Sequence, residues 1–563
     1  MSSTMDVKLD QAVRTRDGVR LSADIYLPPG EGPFPVLAVR TIHDNQATAA
    51  IQWVPRFVAA GYAVVSQDCR GRFDSSGDWD PYVHEAADGH DLMQWLTMQP
   101  WCDGNVGMFG AADMGYAQTQ AALGDSPCLK AIAPSSSQQD NFGHWFAKGG
   151  FQWHTALNFL ETAGRTTQTG ALALVNRELL QWRLPLATAF DDVAEMSFFK
   201  EALKHNSYDD FWKRGSLVER YGEMDVPALF ITGWYDVFLH ETVQMFQGWV
   251  TNARTEEART KTKLIIGPWH HGHIGSAVGG DVDFGPHSDL DLAGEHLRWY
   301  DQRLRGIDTG IDDEPPVRIF TMGENVWRFE NEWPPASMNY NKFFLHGEGR
   351  ANSMFGDGRM DFERCEAEEP ADAFIYDPAN PVPTLGGNIA PLPWTAAGAI
   401  DRRCVERRDD VLVYNTDVLQ EDLEITGSPL VTLWASSDAP DTDFTATVCD
   451  VHPDGRSIIV CEGLARTRFN QERQDPIASL ENPKLAVPDL ISKYSVSLWH
   501  TSMVFKAGHR IRLELSSSNF PRFDRNPNTG HDLGVDTQMR TAKNKVYHNG
   551  DYPTHLTLPV VQR

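Results

Sequence analysis

Three short stretches of the chain hold the residue types that acyl-transfer chemistry uses. The first, Gly104 to Gln118 (GNVGMFGAADMGYAQ), is an apolar strand that runs into a tight glycine turn and then an alanine-rich helix. A sharp strand-to-helix turn of this kind exposes the nucleophile of many acyl hydrolases. Its apex, Gly110-Ala111-Ala112-Asp113-Met114-Gly115, carries neither Ser nor Cys. The other two stretches follow later apolar runs: Gly233-Trp234-Tyr235-Asp236 after VPALFIT, and Pro268-Trp269-His270-His271 after KLIIG. Nucleophile, carboxylate, histidine is the chain order in which α/β-hydrolase sheets present a triad. An imidazole held by a buried carboxylate takes a proton from a hydroxyl and returns it to a leaving group. Carboxylate and histidine are in place, and the hydroxyl is not.

Taken singly, these residues say less. An Asp at a strand end is ordinarily a turn or cap residue. His270, His271 and His273 lie close enough in sequence to share a metal, but no second ligand cluster accompanies them, so no metal and no cofactor is expected at this site. His84 and His90 belong to a helix surface. Order and setting together favour the triad.

The elements that must position these loops alternate along the first third of the chain. Val13 to Leu27 has strand character around an Asp17-Gly18 turn, and PVLAV (35–39), YAVVS (62–66) and LKAIA (129–133) read as buried strands. VHEAADGHDLMQWL (83–96) has helical spacing, with Ala87, Leu92, Trp95 and Leu96 as its apolar stripe. Alternation of this kind implies a mostly parallel sheet covered on both faces, an α/β domain. From about Gln138 the pattern becomes aromatic-rich and amphipathic, as in FQWHTALNFLETAG and ALALVNRELLQWRL, with little strand character. Alternation resumes at VPALFIT, KLIIG and VRIFT (317–321). The expected organisation is an α/β core over 1–137 and 221–335, a helical cap inserted at 138–220, and a β-rich domain over 336–563. The last of these contains LVTLWASS, a hairpin of FTATVCDV and SIIVC around Pro453-Asp454-Gly455, and HRIRLELSSS, the pattern of a sandwich or jelly roll.

Composition narrows the partners. At 563 residues and 41% hydrophobic content the chain is long enough for several cores. Fifty Lys+Arg against 77 Asp+Glu leave a net charge of −27, which repels nucleic acid and anionic membranes. The expected partner is a small-molecule ester or amide substrate, and a homodimer is compatible with the composition. The N-terminal MSSTMDVKLDQAVRTRDG lacks a basic head followed by an apolar run, so a cytoplasmic location is expected. The seven cysteines show no C-x-x-C spacing, which fits reduced, mostly buried thiols.

RDGVRL (16–21), QDCRGRFDSSG (67–77), WCDGNVGMFG (101–110), LKAIAPS (129–135), GWYD (233–236), GPWHH (267–271) and SSSNFPRFDRNPNTG (516–530) are long, specific matches to one family. The chain resembles the cocaine esterase and X-Pro dipeptidyl-peptidase group of serine hydrolases, often labelled CocE/NonD, over nearly its whole length. The resemblance implies an α/β-hydrolase core, an inserted helical cap and a C-terminal jelly roll. It lays the family's G-x-S-Y-x-G elbow on Gly110 to Gly115, so that the serine falls on Ala112, the acid on Asp236 and the histidine on His271. The family's oxyanion hole pairs the backbone N–H after the serine, here that of Asp113 in place of a tyrosine, with a tyrosine hydroxyl early in the chain, here replaced by His43.

Three departures therefore meet at one centre. Histidine can still donate a hydrogen bond, and Asp113 still offers its N–H, but alanine has no atom that can attack a carbonyl. Three accounts of the missing hydroxyl are open. They are a deliberate Ser-to-Ala exchange, a natural member that lost its serine for a binding, lyase or transfer role using His43 and His271, and an elbow carboxylate, Asp113, acting as nucleophile. The resemblance spans enzymes that cleave esters, amides, β-lactam side chains or dipeptides. Trp145, Phe146 and Phe238 are candidates for an apolar acyl pocket, and Phe151 and Trp153 add to the aromatic cap.

Overall fold

The computed structural model describes residues 5–47, 49–147, 149–164, 176–366, 368–469 and 480–562. The strands read from the first third all form. We label them β1 (Asp6–Arg14), β2 (Arg20–Leu27), β3 (Phe34–Thr41), β4 (Ala63–Asp68), β5 (Cys102–Ala111) and β6 (Leu129–Ser135). β7 (Leu229–Tyr235), β8 (Lys263–His270), β9 (Val317–Thr321) and β10 (Val326–Glu330) complete a ten-stranded sheet in the order β1-β2-β4-β3-β5-β6-β7-β8-β9-β10. From β4 to β9 every neighbouring pair is parallel, and the edge pairs are antiparallel. The central strands are buried on both faces, which is why they read as unbroken apolar runs such as AVVSQD and LFITGWY. This is the α/β core expected.

The helix expected over 83–96 runs from Glu85 to Thr97, but its buried face differs from a simple apolar stripe. Leu92, Met93 and Leu96 are buried and Ala87 is exposed. Glu85, Asp88 and Asp91 are buried as well, because they meet arginines: Arg40 with Glu85 at 2.9 Å, Arg70 with Asp88 at 2.6 Å, and Arg16 with Asp91 at 2.8 Å. Buried carboxylates are tolerable only with such partners.

Between β6 and β7 the chain forms short helices, Asn141–Trp145, Trp153–Gly164, Arg177–Leu180, Ser197–Lys204 and Asp210–Lys213, around an aromatic core. Two departures stand out. A two-residue hairpin, Phe146–Ala147 with Gly150–Phe151, interrupts the helical run. Of ALALVNRELLQWRL, residues 171–175 lie outside the described residues, and the rest holds only a four-residue helix. Pro185 disfavours the helical region at Leu184, so a helix cannot run to the end of this stretch.

The remainder is β-rich. A second sheet of 13 strands, nearly all antiparallel, includes the hairpin Asp443–Val451 with Ser457–Arg466 and the strands Leu430–Ser437 and Arg510–Ser516. It packs directly on the α/β core: the Tyr235 hydroxyl donates to the carbonyl of Ile459 at 3.0 Å, and the Val504 N–H donates to the Met322 carbonyl at 2.8 Å.

Candidate active site

The site lies at the carboxyl ends of β5, β7 and β8, where parallel strands deliver their loops to one edge. β5 ends at Ala111 and the helix Asp113–Ala121 begins two residues later, leaving Ala112 as the sole link. Its backbone is at φ 54°, ψ −122°, a conformation that side-chain-bearing residues rarely adopt. The Ala112 N–H is fixed by the carbonyls of Ser135 and Ser136 at 3.0 and 3.1 Å. Such a sharp turn needs small neighbours. A Cβ on Gly110, itself at φ 128°, would lie 2.6 Å from the Met114 Cβ, and one on Gly115 would lie 2.7 Å from the Ser137 Cβ. Gln118 ties the turn together by donating to the Gly110 carbonyl at 3.0 Å and accepting from the Ala133 N–H at 2.9 Å.

Asp236 follows β7 in a turn closed by its own N–H on the Gly233 carbonyl (3.0 Å). Its carboxylate is fully buried. Oδ1 accepts from the Phe238 N–H at 2.7 Å, and Oδ2 lies 3.2 Å from Nδ1 of His271. A carboxylate can only accept, so Nδ1 carries the proton and Nε2 is left as the free base. Burial opposes charging of His271, but the charge of Asp236, its hydrogen bond and the charge of Asp113 outweigh this and raise the imidazole above its ordinary pKa. The neighbouring His270 turns away, with Nδ1 3.0 Å from the His271 carbonyl, and its ring stands 4.7 Å from that of His273.

His43 sits in the loop after β3. Its N–H is held by the Thr41 hydroxyl at 2.9 Å, and the loop is anchored by buried Arg72, which donates to the Ile42 carbonyl at 3.0 Å. Nε2 of His43 is 3.6 Å from Oδ2 of Asp113. Asp113 thus keeps its backbone in the first turn of the helix, where N–H groups have no intrahelical acceptor, while its carboxylate faces imidazoles. Burial alone would raise the Asp113 carboxyl. The hydrogen bond and charge of His43, with the charges of His144 and His271, hold it below the usual carboxylate range.

Of the aromatic candidates, Phe238 belongs to the site: its ring is edge-on to His271 at 5.4 Å and stacked on His144 at 4.8 Å. Trp145 is elsewhere, fully buried in the cap core against Phe151, Phe159 and Phe198. Phe146 packs on Phe142 and Phe151 and lines a separate cavity with Gln139, Tyr208 and Trp499. Phe151 and Trp153 are fully buried as well. An aromatic cap must first fill its own core, and only its edge residues reach the sheet.

Two contributors carried no readable signal. His144, one residue before Trp145, brings a third imidazole to Asp113, and burial pushes its pKa down to about 4, so it is neutral near pH 7. Asn388 comes from the β-rich part of the chain and donates to the carbonyls of Trp234 and Asp236 at 2.8 and 3.0 Å. Asn388 is held in turn through its N–H by Glu462 at 3.0 Å, and Glu462 is itself paired with Arg522 and bonded by Asn519 at 2.7 Å. Both of these latter residues lie in the SSSNFPRFDRNPNTG stretch, which gives that motif a physical role in bracing the acid loop.

Residues 17–273 match the X-Pro dipeptidyl-peptidase (S15 family) description, and residues 309–557 match the X-Pro dipeptidyl-peptidase C-terminal non-catalytic domain. The chain is 36% identical to a cocaine esterase of Rhodococcus sp. (strain MB1 Bresler), covering 98% of each chain. It is 26% identical to a putative serine esterase of Mycobacterium bovis, over 98% of this chain and 95% of that one. Among solved structures it superposes on an α-amino acid ester hydrolase with TM-score 0.84 at 25% identity, covering 99% of this chain and 97% of that one.

Proposed function

Because the chain belongs to the X-Pro dipeptidyl-peptidase (S15) family, together with cocaine esterase, we propose that it carries an acyl-hydrolase centre for carboxylic ester or amide bonds, with Ala112 at the nucleophile position. The observation that carries this reading is the backbone of Ala112. A methyl group has no use for a strained elbow, whereas a serine hydroxyl there would project above the sheet towards the carbonyl of a bound substrate. With serine present, His271 Nε2 would take the hydroxyl proton as the oxygen attacks, Asp236 would stabilise the imidazolium, and the Asp113 N–H would receive the developing oxyanion. His271 would then return the proton to the leaving group, and water would release the acid by the same steps. With alanine, only binding and oxyanion stabilisation remain, a residual effect on the order of 10³–10⁴ over water.

The elbow geometry argues against Asp113 as nucleophile. The positive φ belongs to residue 112, and the Asp113 carboxylate is already engaged by His43. One observation favours a natural member over a simple Ser-to-Ala exchange: positions 43 and 113 carry an imidazole and a carboxylate that face each other, which a single change at 112 does not explain. Restoring the hydroxyl, Ala112→Ser, is the decisive experiment, with p-nitrophenyl esters as first probes because the cocaine esterase similarity favours an ester. Ester turnover together with fluorophosphonate labelling supports the reading; a folded serine variant with neither removes it.

The high negative charge supports a small-molecule substrate in preference to nucleic acid or anionic membrane. Among the described residues no helix is long and apolar enough to cross a membrane. Seven free thiols, five of them buried, support a reducing, cytoplasmic setting.

A further inference from the structure

Far along the chain from the hydrolase loops, two turns of the 13-stranded sheet bring together a carboxylate and two imidazoles. Asp450 lies in the strand Asp443–Val451, and His452 follows it by two residues, so both side chains leave on the same side. His509 precedes the strand Arg510–Ser516, which pairs with the first strand so that Arg510 faces Val451. Backbone hydrogen bonds hold both turns: His452 N–H to the Arg456 carbonyl at 2.9 Å, and His509 N–H to the Lys506 carbonyl at 3.0 Å. The imidazole rings lie 4.4 Å apart.

We propose that Asp450, His452 and His509 form a binding site for one divalent, imidazole-preferring metal ion of the zinc class. One nitrogen from each ring and one carboxylate oxygen all lie within 4.8 Å of one another. Oδ2 of Asp450 is 3.4 Å from Nε2 of His452 and 3.0 Å from Nδ1 of His509. Bonds of about 2.0–2.2 Å to a tetrahedral zinc place neighbouring ligand atoms roughly 3.4 Å apart, so the three groups need to move little to share an ion. Two imidazoles select a transition metal over magnesium or calcium, which take oxygen ligands. Three protein ligands leave a fourth position for water.

The Asp450–His509 hydrogen bond accounts for two of these residues but not for the second imidazole, that of His452, turned to the same carboxylate. The nearby cation, Arg456, is engaged by Asp454 at 2.8 Å on the same turn, which offsets its charge. Other His/Cys/carboxylate groups differ in kind. His346 contacts Glu369 and the Glu363 carbonyl with its two nitrogens, and the Glu406–Cys449–Glu514 group is neutralised by Arg512 and Arg402. An ion at Asp450 would clamp one turn to the other and stabilise this end of the sheet.

The test is titration of Zn²⁺ into the metal-free full-length chain by calorimetry, against His452→Gln and His509→Gln, with circular dichroism to confirm folding. We expect one site that weakens at least about tenfold in each variant, since even loss of an outer partner of a ligand costs about 10–100-fold. Crystals soaked in stoichiometric zinc should show an anomalous peak between the three side chains. Equal binding by the parent and both variants, or an anomalous peak elsewhere with none here, overturns the proposal.

Discussion

His43 and Asp113 face one another, Nε2 to Oδ2 at 3.6 Å, on the two sides of the Ala112 turn. Both side chains are partly open to solvent, 46% and 26% exposed, so the pair itself contributes little stability, at most about 1 kcal/mol. Its importance is chemical. The His43 imidazole is shared with the Asp113 carboxylate, and that carboxylate also raises His271. A second imidazole–carboxylate couple thus stands beside the Asp236–His271 couple.

Ala112→Ser should create turnover of activated aryl esters and labelling by fluorophosphonate, whereas the alanine chain takes no label and keeps only the residual rate of binding and oxyanion stabilisation. Asp236→Asn in the serine background should then lower kcat by about 10⁴, because an amide can donate to Nδ1 and stabilise the wrong tautomer. Initial rates and active-site labelling measure both.

In the Ala112→Ser form, kcat/KM should rise with pH through a midpoint above the ordinary histidine value of 6.5, because His271 must be neutral to act and its pKa is raised. Asp113→Asn removes one of the charges that favour the imidazolium, so the midpoint should move to lower pH. The sign for stability is the reverse. The partners of His271 stabilise the fold fully below the unfolded pKa, and this contribution fades as pH rises through the folded one. A pH–rate profile of both variants decides the matter; no shift with Asp113→Asn would break the link between the couples.

His43→Ala, again in the serine background, should lower kcat by about 10²–10³ with KM nearly constant if the imidazole supports the transition state. An effect confined to KM would make His43 a substrate-binding residue instead.

Asn388→Ala tests the bracing of the acid loop across the two sheets. Two carbonyl groups lose their donor, and a small displacement of Asp236 should cost about 10–100-fold in kcat of the serine form. The pH midpoint should shift as well, because Asp236 sets the His271 pKa, a response that general destabilisation would not produce.

Ala112→Gly should raise the thermal midpoint of the chain. Glycine accepts φ 54° without the cost of about 1–3 kcal/mol borne by other residues, and this exceeds its added unfolded-state entropy of about 0.4–1 kcal/mol. Scanning calorimetry reads the change, and a lower midpoint would show that the elbow is not strained.

The chain by itself determined the sheet and the loops that cross its edge. Buried parallel strands leave unbroken apolar runs, and each of the three strands ends within two residues after the punctuation at Gly110, Gly233 and Pro268, so the elbow, Asp236 and His271 were legible as types in order. The helix over 85–97 was legible as well, but not its buried carboxylates, whose partners Arg40 and Arg70 lie in other elements. Tertiary structure alone decided which aromatics meet the site. Trp145, Phe146 and Phe238 look alike in a sequence, and only packing sends the first two into cap cores and the third to His271. It alone decided that His43 and Asp113, 70 residues apart, form a couple, and that Asn388 reaches back 152 residues to the Asp236 carbonyl. Periodicity reports how each segment meets its own neighbours along the chain. It contains no term for distance between segments, and the chemistry of this site is set by such distances.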